Sequence, residues 1–227
     1  MLRTAVFAHG SGSTADFVSR AFDGPLRAAG YELVTFDDRS GDVDTLAGRM
    51  GELTDSSGAS LVGGVSLGAH AAVRVATTRP HLSGALLALP AWTGSPGAVA
   101  ALSALAADEV ELDGLGPVLA RLEPYGWVGA ELALAWPSYG QEALVTALPA
   151  TAWSAGPSEA ELRALAVPAG VVALTGDPYH PLDVARRWAE LVPRAALEVV
   201  DSSEVAADPA ALGRAALKAL QALPAEP

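Results

Sequence analysis

Cysteine is absent from this chain, and histidine occurs only four times in 227 residues. The lack of cysteine excludes disulfides, thiolate metal sites and a cysteine nucleophile. Four histidines leave little scope for a histidine-rich metal site, and we expect neither a metal nor a cofactor. Basic residues are also few, because 14 Lys and Arg stand against 26 Asp and Glu, giving a net charge of −12. A field of that sign repels a phosphate backbone or an anionic membrane, so nucleic acid and membrane partners are not expected.

Long hydrophobic runs are missing as well. No stretch reaches ~18 uninterrupted apolar residues, so no membrane span is predicted, and the N-terminal apolar run is too short for a signal peptide. The chain is nevertheless apolar, with 51% hydrophobic against 18% charged residues, which excludes disorder through lack of apolar burial. We predict a soluble, cytoplasmic globular protein with one large domain or two small ones.

Short β-rich runs alternate with alanine-rich stretches of helical period. We predict helices between successive strands, with Pro25 interrupting the first helix. The predicted strands cover residues 4–8, 31–36, 60–65, 84–89, 171–175 and 196–200. This alternation implies right-handed crossovers and a sheet covered on both faces. The predicted fold class is therefore α/β, with a doubly wound, mostly parallel sheet of about six strands.

The rhythm breaks in residues 93–165, which contain no convincing strand. We predict an α/β core of residues 1–92 and 166–227, and a helical cap of residues 93–165. The cap is expected over the carboxyl ends of the strands, where open α/β sheets bind ligands. Within it, the acidic run Asp108–Asp113 is predicted to be a solvated loop.

Large aromatic side chains gather in the cap or at its junction with the core. They are Trp92, Trp127, Trp136, Tyr139 and Trp153. Core packing is the simpler explanation for any one of them, but we expect one or two to line a pocket for a small apolar substrate.

The strongest motif is Gly64–Gly68, which reads G-V-S-L-G and stands between a predicted strand and a predicted helix. This context is the one that a nucleophile elbow requires. The serine, Ser66, sits on a strained turn, and residues two positions away on each side must be small. The N–H of Leu67, at the helix N-terminus, faces a developing oxyanion. A chance match in a glycine-rich chain is the alternative.

On these residues the chain resembles an α/β-hydrolase over nearly its whole length, and Ser66–His70 is similar to the elbow of lipases in that superfamily. His9–Gly12 resembles the turn that supplies the second oxyanion donor in this fold. The resemblance assigns His9 and Gly10 to this loop, with Ser11 donating its backbone N–H beside that of Leu67. An ordinary glycine-rich turn is the alternative, and a phosphate loop fits less well because no Gly-Lys-Ser/Thr follows and position 15 is alanine.

Asp177 follows the fifth predicted strand and resembles the acid of the hydrolase triad. Such an acid fixes the tautomer of a histidine and stabilises its charged form. The alternative is an aspartate that starts a turn and caps the next helix, as Asp-Pro often does.

The triad histidine of this family is missing from its expected place. That place is the loop after the last strand, near Asp201–Val205, and no histidine follows His180. Serine is a poor nucleophile without an adjacent base, and loss of the nucleophile–base unit costs roughly 10⁶-fold in rate.

Five other side chains are candidates for the missing base. His180, in the acid loop, is the one we favour, although it also fits a half-exposed histidine at a helix N-terminus. His9 lies in the oxyanion loop, and His70 resembles a structural histidine of lipases. His81 is expected to be a structural residue at the start of a strand, on the opposite edge of the sheet, and Glu204 is a weak base for serine.

The sequence leaves three functional hypotheses open. The first is a serine esterase or thioesterase that uses Ser66, Asp177 and His180. The second is a binding protein or degraded enzyme with the same fold. The third is a lyase or cyclase that polarises a carbonyl without covalent attack. Fold alone does not choose between them; we favour the hydrolase.

Overall fold

A computed structural model describes residues 2–122 and 126–224 and contains one six-stranded sheet. The strands are β1 (Arg3–Ala8), β2 (Tyr31–Phe36), β3 (Leu61–Val65), β4 (Gly84–Ala88), β5 (Ala169–Thr175) and β6 (Ala195–Asp201). Their order is β2-β1-β3-β4-β5-β6, and every neighbouring pair is parallel. The predicted fold class is confirmed. Because parallel strands share one direction, the ends of β1, β3 and β5 meet at the same edge.

Helices cover both faces of the sheet. They are α1 (Ala15–Ala28), α2 (Val43–Ser57), α3 (Leu67–Thr77), α4 (Ala98–Asp113), α5 (Leu115–Leu119), α6 (Gly126–Tyr139), α7 (Gln141–Trp153), α8 (Glu159–Ala164), α9 (Leu182–Leu191), α10 (Ser202–Ala207) and α11 (Ala210–Gln221). One face packs against α2, α3 and α9 and the other against α1 and α11. Along β1 the side chains alternate accordingly, with Val6 and Ala8 on the first face and Ala5 and Phe7 on the second. Within the described part of the chain, no helix is long and apolar enough to cross a membrane.

The segment between β4 and β5 forms helices α4 to α8. It has a small apolar core of its own around Trp136, Leu144 and Val110. A partly buried ion pair attaches it to the first helix, because Arg20 Nη2 lies 2.5 Å from Glu131 Oε2 on α6. Tyr139 adds a hydrogen bond of 2.7 Å from its hydroxyl to the carbonyl oxygen of Ser13. The insertion is therefore packed on the rest of the protein.

Three local expectations are wrong. Helix α1 continues through Pro25 and is not interrupted there. Because proline has no N–H, the carbonyl of Ala21 loses its intrahelical donor. That carbonyl lies against α11, so close that a Cβ on Gly213 would overlap it. Residues 108–113 end helix α4 and do not form a loop. His81 is exposed in the turn before β4, and does not begin that strand.

Candidate functional site

Ser66 occupies a strained turn between β3 and α3. Its backbone angles are φ 54° and ψ −116°, a region that costs a non-glycine residue ~1–3 kcal/mol. The flanking glycines make this turn sterically possible: a Cβ on Gly64 would overlap the backbone of Gly68, and a Cβ on Gly68 would overlap the carbonyl of Ala8. The local geometry is thus the one that the G-V-S-L-G spacing predicts.

The loop after β1 packs directly on this turn. A Cβ added to Gly10 would lie 3.0 Å from the Cβ of Ser66, so glycine allows the loop its close approach. The turn closes through a 3.1 Å hydrogen bond from Ser13 N–H to the carbonyl of Gly10. Within residues 2–122 and 126–224, neither the N–H of Ser11 nor that of Leu67 has a protein acceptor. Both donors therefore remain available beside Ser66.

His9 is held by two backbone groups. Its Nδ1 lies 2.7 Å from the carbonyl oxygen of Gly10, and its Nε2 accepts from the N–H of Asp38 at 2.9 Å. The carbonyl oxygen is only an acceptor, so Nδ1 carries the proton and Nε2 is already occupied. Burial lowers the pKa of His9. This histidine braces the loop, and it has no free nitrogen with which to accept a proton from Ser66.

His70 is also committed to structure. It is fully buried on α3, packs edge-on against the ring of Trp92, and accepts a 3.2 Å hydrogen bond at Nε2 from the N–H of Ala91. Burial lowers the pKa of His70 to about 3, with a smaller contribution from the charge of His180. His70 therefore stays neutral and supports the loop after β4, where Leu89 adopts a positive φ of 55°.

Asp177 and His180 form a pair in the loop between β5 and α9. Asp177 Oδ2 lies 2.8 Å from His180 Nδ1, while Asp177 Oδ1 accepts from the N–H groups of Tyr179 at 2.8 Å and His180 at 3.3 Å. The side chain of Asp177 has no exposed surface, and that of His180 is 11% exposed. Burial alone raises the pKa of Asp177, but the charge of His180 and these hydrogen bonds outweigh it, so the pKa is lowered. An ionised carboxylate only accepts, so His180 donates from Nδ1 and keeps Nε2 as an acceptor.

Trp127 of helix α6 covers this pair. Its ring centroid lies 6.3 Å from that of His180 and 5.9 Å from that of Phe17, on which it stacks. The imidazole thus lies between an aspartate and an indole. No hydrogen bond joins Ser66 Oγ to His180 Nε2 among the described residues.

The segment after β6 contains no alternative base among its described residues. Asp201 ends the strand and caps α10, accepting from the N–H of Ser203 at 3.0 Å and from the hydroxyl of Thr175 at 2.8 Å. Glu204 is exposed on α10. Neither carboxylate lines the cavity that contains Ser66.

That cavity, of about 290 Å³, joins Ser66 to the loop of His180 and to the helical insertion. Its size is near the lower end of the usual ~300–1,000 Å³ range for ligand pockets. The lining residues are Ser11, Ser66, Ala91, Trp92, Val99, Leu102, Ser103, Leu105, Ala106, Glu109, Val118, Leu122, Val128, Leu132, Trp136, Leu148, Thr151, Tyr179 and His180. Most are apolar, and Glu109 is the acidic exception.

The cavity distinguishes between the aromatic candidates. Trp92 and Trp136 line it, whereas Trp153 is 86% exposed on the outside of α7. Tyr139 is buried, with its hydroxyl bound to the backbone of Ser13. Sequence reasoning missed Thr151, whose side chain hydroxyl lies 2.6 Å from Ser11 Oγ. No motif marks that residue.

The described residues contain no group of His, Asp or Glu side chains that could hold a metal ion.

No protein-family model matches the sequence, and no curated protein matches it. Solved structures do match. A protein described as a non-heme bromoperoxidase of Mycobacterium tuberculosis H37Rv has a TM-score of 0.76 and 21% identity, over 99% of this chain and 94% of that one.

Two further similar structures carry other descriptions. An enol-lactonase from Burkholderia xenovorans LB400 has a TM-score of 0.69 and 14% identity, over 88% of this chain and 83% of that one. An esterase from Thermogutta terrifontis has a TM-score of 0.63 and 16% identity, over 88% and 80%. At these identities the likeness establishes the fold: the chain has the α/β-hydrolase fold.

Proposed function

We propose that this protein is a serine hydrolase that cleaves a small, largely apolar ester or thioester through an acyl-enzyme on Ser66. In this proposal His180 is the general base and Asp177 orients it. The N–H groups of Ser11 and Leu67 stabilise the oxyanion. His9 and Gly10 shape the loop that presents Ser11.

The observation that carries the proposal is the Asp177–His180 pair. Its 2.8 Å contact supports the tautomer with the Nδ1 proton directed at the carboxylate, and His180 lines the same cavity as Ser66. Acid and base thus come from one loop, instead of two loops as in the family pattern. The apolar lining of the cavity supports a substrate with a neutral acyl group. Two structures of similar fold are described as an enol-lactonase and an esterase, and both descriptions agree with ester cleavage.

The proposed chemistry is acyl transfer in two steps. Ser66 Oγ attacks the carbonyl carbon while His180 Nε2 takes its proton. Asp177 stabilises the imidazolium, which then gives that proton to the leaving alcohol or thiol. A water molecule then gives a proton to His180 Nε2 and attacks the carbonyl carbon of the acyl-enzyme. The bond to Ser66 Oγ breaks, His180 returns the proton to that oxygen, and the carboxylic acid leaves. The oxyanion forms where the N–H groups of Ser11 and Leu67 are free.

His180 must approach Ser66 for this reaction. Pro178 stiffens the loop, and so do the N–H groups of Tyr179 and His180, which donate to Asp177 Oδ1. The stiff loop does not bring His180 to Ser66 by itself, so we expect a small closure to accompany substrate binding. A second candidate is a protein of this fold that binds a ligand, or acts as a lyase or cyclase, without hydrolysis. The absence of a Ser66–His180 hydrogen bond in the described residues favours that alternative.

The test is the His180→Ala variant on a short activated ester. We expect kcat to fall by ~10³-fold or more, because the nucleophile loses its base. His81→Ala is the matched control, since His81 is exposed in the turn before β4, at the opposite edge of the sheet from the strand ends that carry the site. An unchanged slow rate in His180→Ala would remove His180 from the mechanism and favour the non-hydrolytic alternative.

A further inference from the structure

We propose that the hydroxyls of Ser11 and Thr151 act together as a hydrogen-bond donor site for an oxygen atom of the bound acyl group. The inference deepens the proposed function, and it rests on that function in taking the ligand of the cavity to be an acyl compound. It assigns a binding role to a residue of helix α7.

Helix α7 is fixed on the core in a way that places Thr151. A Cβ on Gly41 would overlap the carbonyl oxygen of Ala147 on α7, so the helix lies directly on the loop before α2. At the end of α7, Ser154 Oγ accepts from the N–H of Val43 at 2.7 Å and donates to Asp42 Oδ1 at 3.2 Å. These contacts leave the buried side chain of Thr151 little freedom to move.

The two hydroxyls have one hydrogen more than they use. Ser11 Oγ and Thr151 Oγ1 lie 2.6 Å apart, and each carries one hydrogen, whereas their mutual bond needs one. The described part of the chain offers neither oxygen a second acceptor. A partly buried donor without an acceptor is unfavourable, and both residues line the cavity that contains Ser66. The spare hydrogen is therefore available to a ligand there.

The position of the pair indicates which ligand atom it meets. Ser11 follows Gly10, whose backbone packs on Ser66, so the pair lies at the nucleophile end of a largely apolar cavity. Two oxygens of an acyl compound reach that end: the carbonyl oxygen, and an ether or hydroxyl oxygen carried by the acyl chain. Both are acceptors for the same donor.

Four variants and one control test the pair. Thr151→Val removes one hydroxyl and keeps the shape, Ser11→Ala removes the other and keeps the backbone N–H, and the double variant removes both. Thr151→Ser retains the hydroxyl. Thr146→Val is the control, because Thr146 is exposed on the same helix and bonds to the carbonyl of Glu142.

Binding is measured first, since it does not depend on turnover. The probes are 2-heptanone and 2-methyl-1-heptene, in which CH₂ replaces the carbonyl oxygen. Binding of each probe is monitored through the fluorescence of the cavity tryptophans. We expect the preference for the ketone to fall about 5-fold in the double variant, which has no hydroxyl hydrogen left to donate. The fall should be smaller in Thr151→Val and in Ser11→Ala, because each keeps one hydroxyl whose hydrogen is released from the mutual bond. Thr151→Ser and Thr146→Val should keep the wild-type preference. An unchanged preference in the double variant, or a loss in Thr151→Ser equal to that of the double variant, would overturn the proposal.

Kinetics then identify the oxygen. If the carbonyl oxygen is bound, the double variant lowers kcat/KM for a plain alkanoyl ester and for an ester with an ether oxygen in its acyl chain by the same factor. If the chain oxygen is bound, only the second ester is affected. Should the wild type hydrolyse neither ester while the ketone preference still falls in the double variant, the proposed function fails and the donor site stands.

Discussion

Replacement of Asp177 by asparagine removes one charge at the centre of the proposed site and almost nothing else. Oδ1 still accepts from the N–H groups of Tyr179 and His180, since the amide oxygen takes its place. The amide nitrogen then faces His180 Nδ1, 2.8 Å away in the wild type. Because the amide donates, Nδ1 must become the acceptor and the proton moves to Nε2, the nitrogen that has to take the proton of Ser66.

The expected cost follows from that change of tautomer. In a serine protease of unrelated fold, the same aspartate-to-asparagine change lowers kcat by about 10⁴-fold. That factor corresponds to about 5 kcal/mol of transition-state stabilisation. We expect kcat for a short activated ester to fall by a factor of that order in Asp177→Asn, with KM changed little.

The control is Asp183→Asn. Asp183 lies six residues further along the same segment, but its side chain is 91% exposed and pairs with Arg186 at the surface. We expect its activity to equal that of the wild type. A change of tautomer should lower kcat far more than about 3-fold. If kcat of Asp177→Asn stays within about 3-fold of the wild type, Asp177 has no part in catalysis.

The same variant has a signature in stability. The folded-state pKa of Asp177 is lowered, so its ionised form contributes stability that is complete above the unfolded pKa of about 3.9 and is lost as pH falls through the lower folded value. The difference in unfolding free energy between wild type and Asp177→Asn should therefore shrink as pH is reduced from 6 to 3. A difference independent of pH in urea titrations would contradict the assigned pKa direction.

Three glycine and serine substitutions test the backbone geometry. Ser66→Gly relieves the strain of the positive φ, so it should raise the free energy of unfolding by ~1 kcal/mol and abolish ester turnover. A variant no more stable than the wild type in urea titrations would argue against strain at Ser66. Gly68→Ala drives a Cβ into the carbonyl of Ala8 and should cost ~2 kcal/mol, with full stability contradicting the close approach of α3 to β1. Gly41→Ala strains a positive φ and pushes against Ala147, so thermal unfolding should show a similar loss of stability. Ester turnover should fall as well, and a fully active variant would show that the packing of α7 on Gly41 does not affect the site.

The parts of the site that sequence patterns predict are those with local causes. The G-V-S-L-G spacing determines the turn at Ser66, because each glycine is needed where the backbone of β1 or α3 comes close. The contact between Asp177 and His180 also has a local cause, since two residues separate them in one proline-stiffened loop. The alternation of strands and helices was sufficient for the six-stranded sheet.

The parts that were missed depend on distant contacts. Thr151 meets Ser11 across 140 positions of sequence, and its neighbours in the chain give no sign of that contact. Pro25 was expected to interrupt α1, but tertiary packing against Gly213 sustains the helix there. The acidic residues 108–113 have the composition of a loop, yet the apolar side of α4 holds them in a helix through buried Val110. Which tryptophans line the cavity likewise depends on how α6 and α7 pack.

Reaction with a fluorophosphonate probe tests the central claim most directly, because only an activated serine forms the covalent adduct quickly. Tryptic cleavage should yield the peptide of residues 50–74, which contains Ser66, and fragmentation should place the phosphonate on that serine. We predict labelling of the native protein within minutes, its loss in Ser66→Ala and on boiling, and much slower labelling in His180→Ala. Native protein that stays unlabelled, or that is labelled to the same extent as boiled protein, would contradict the account.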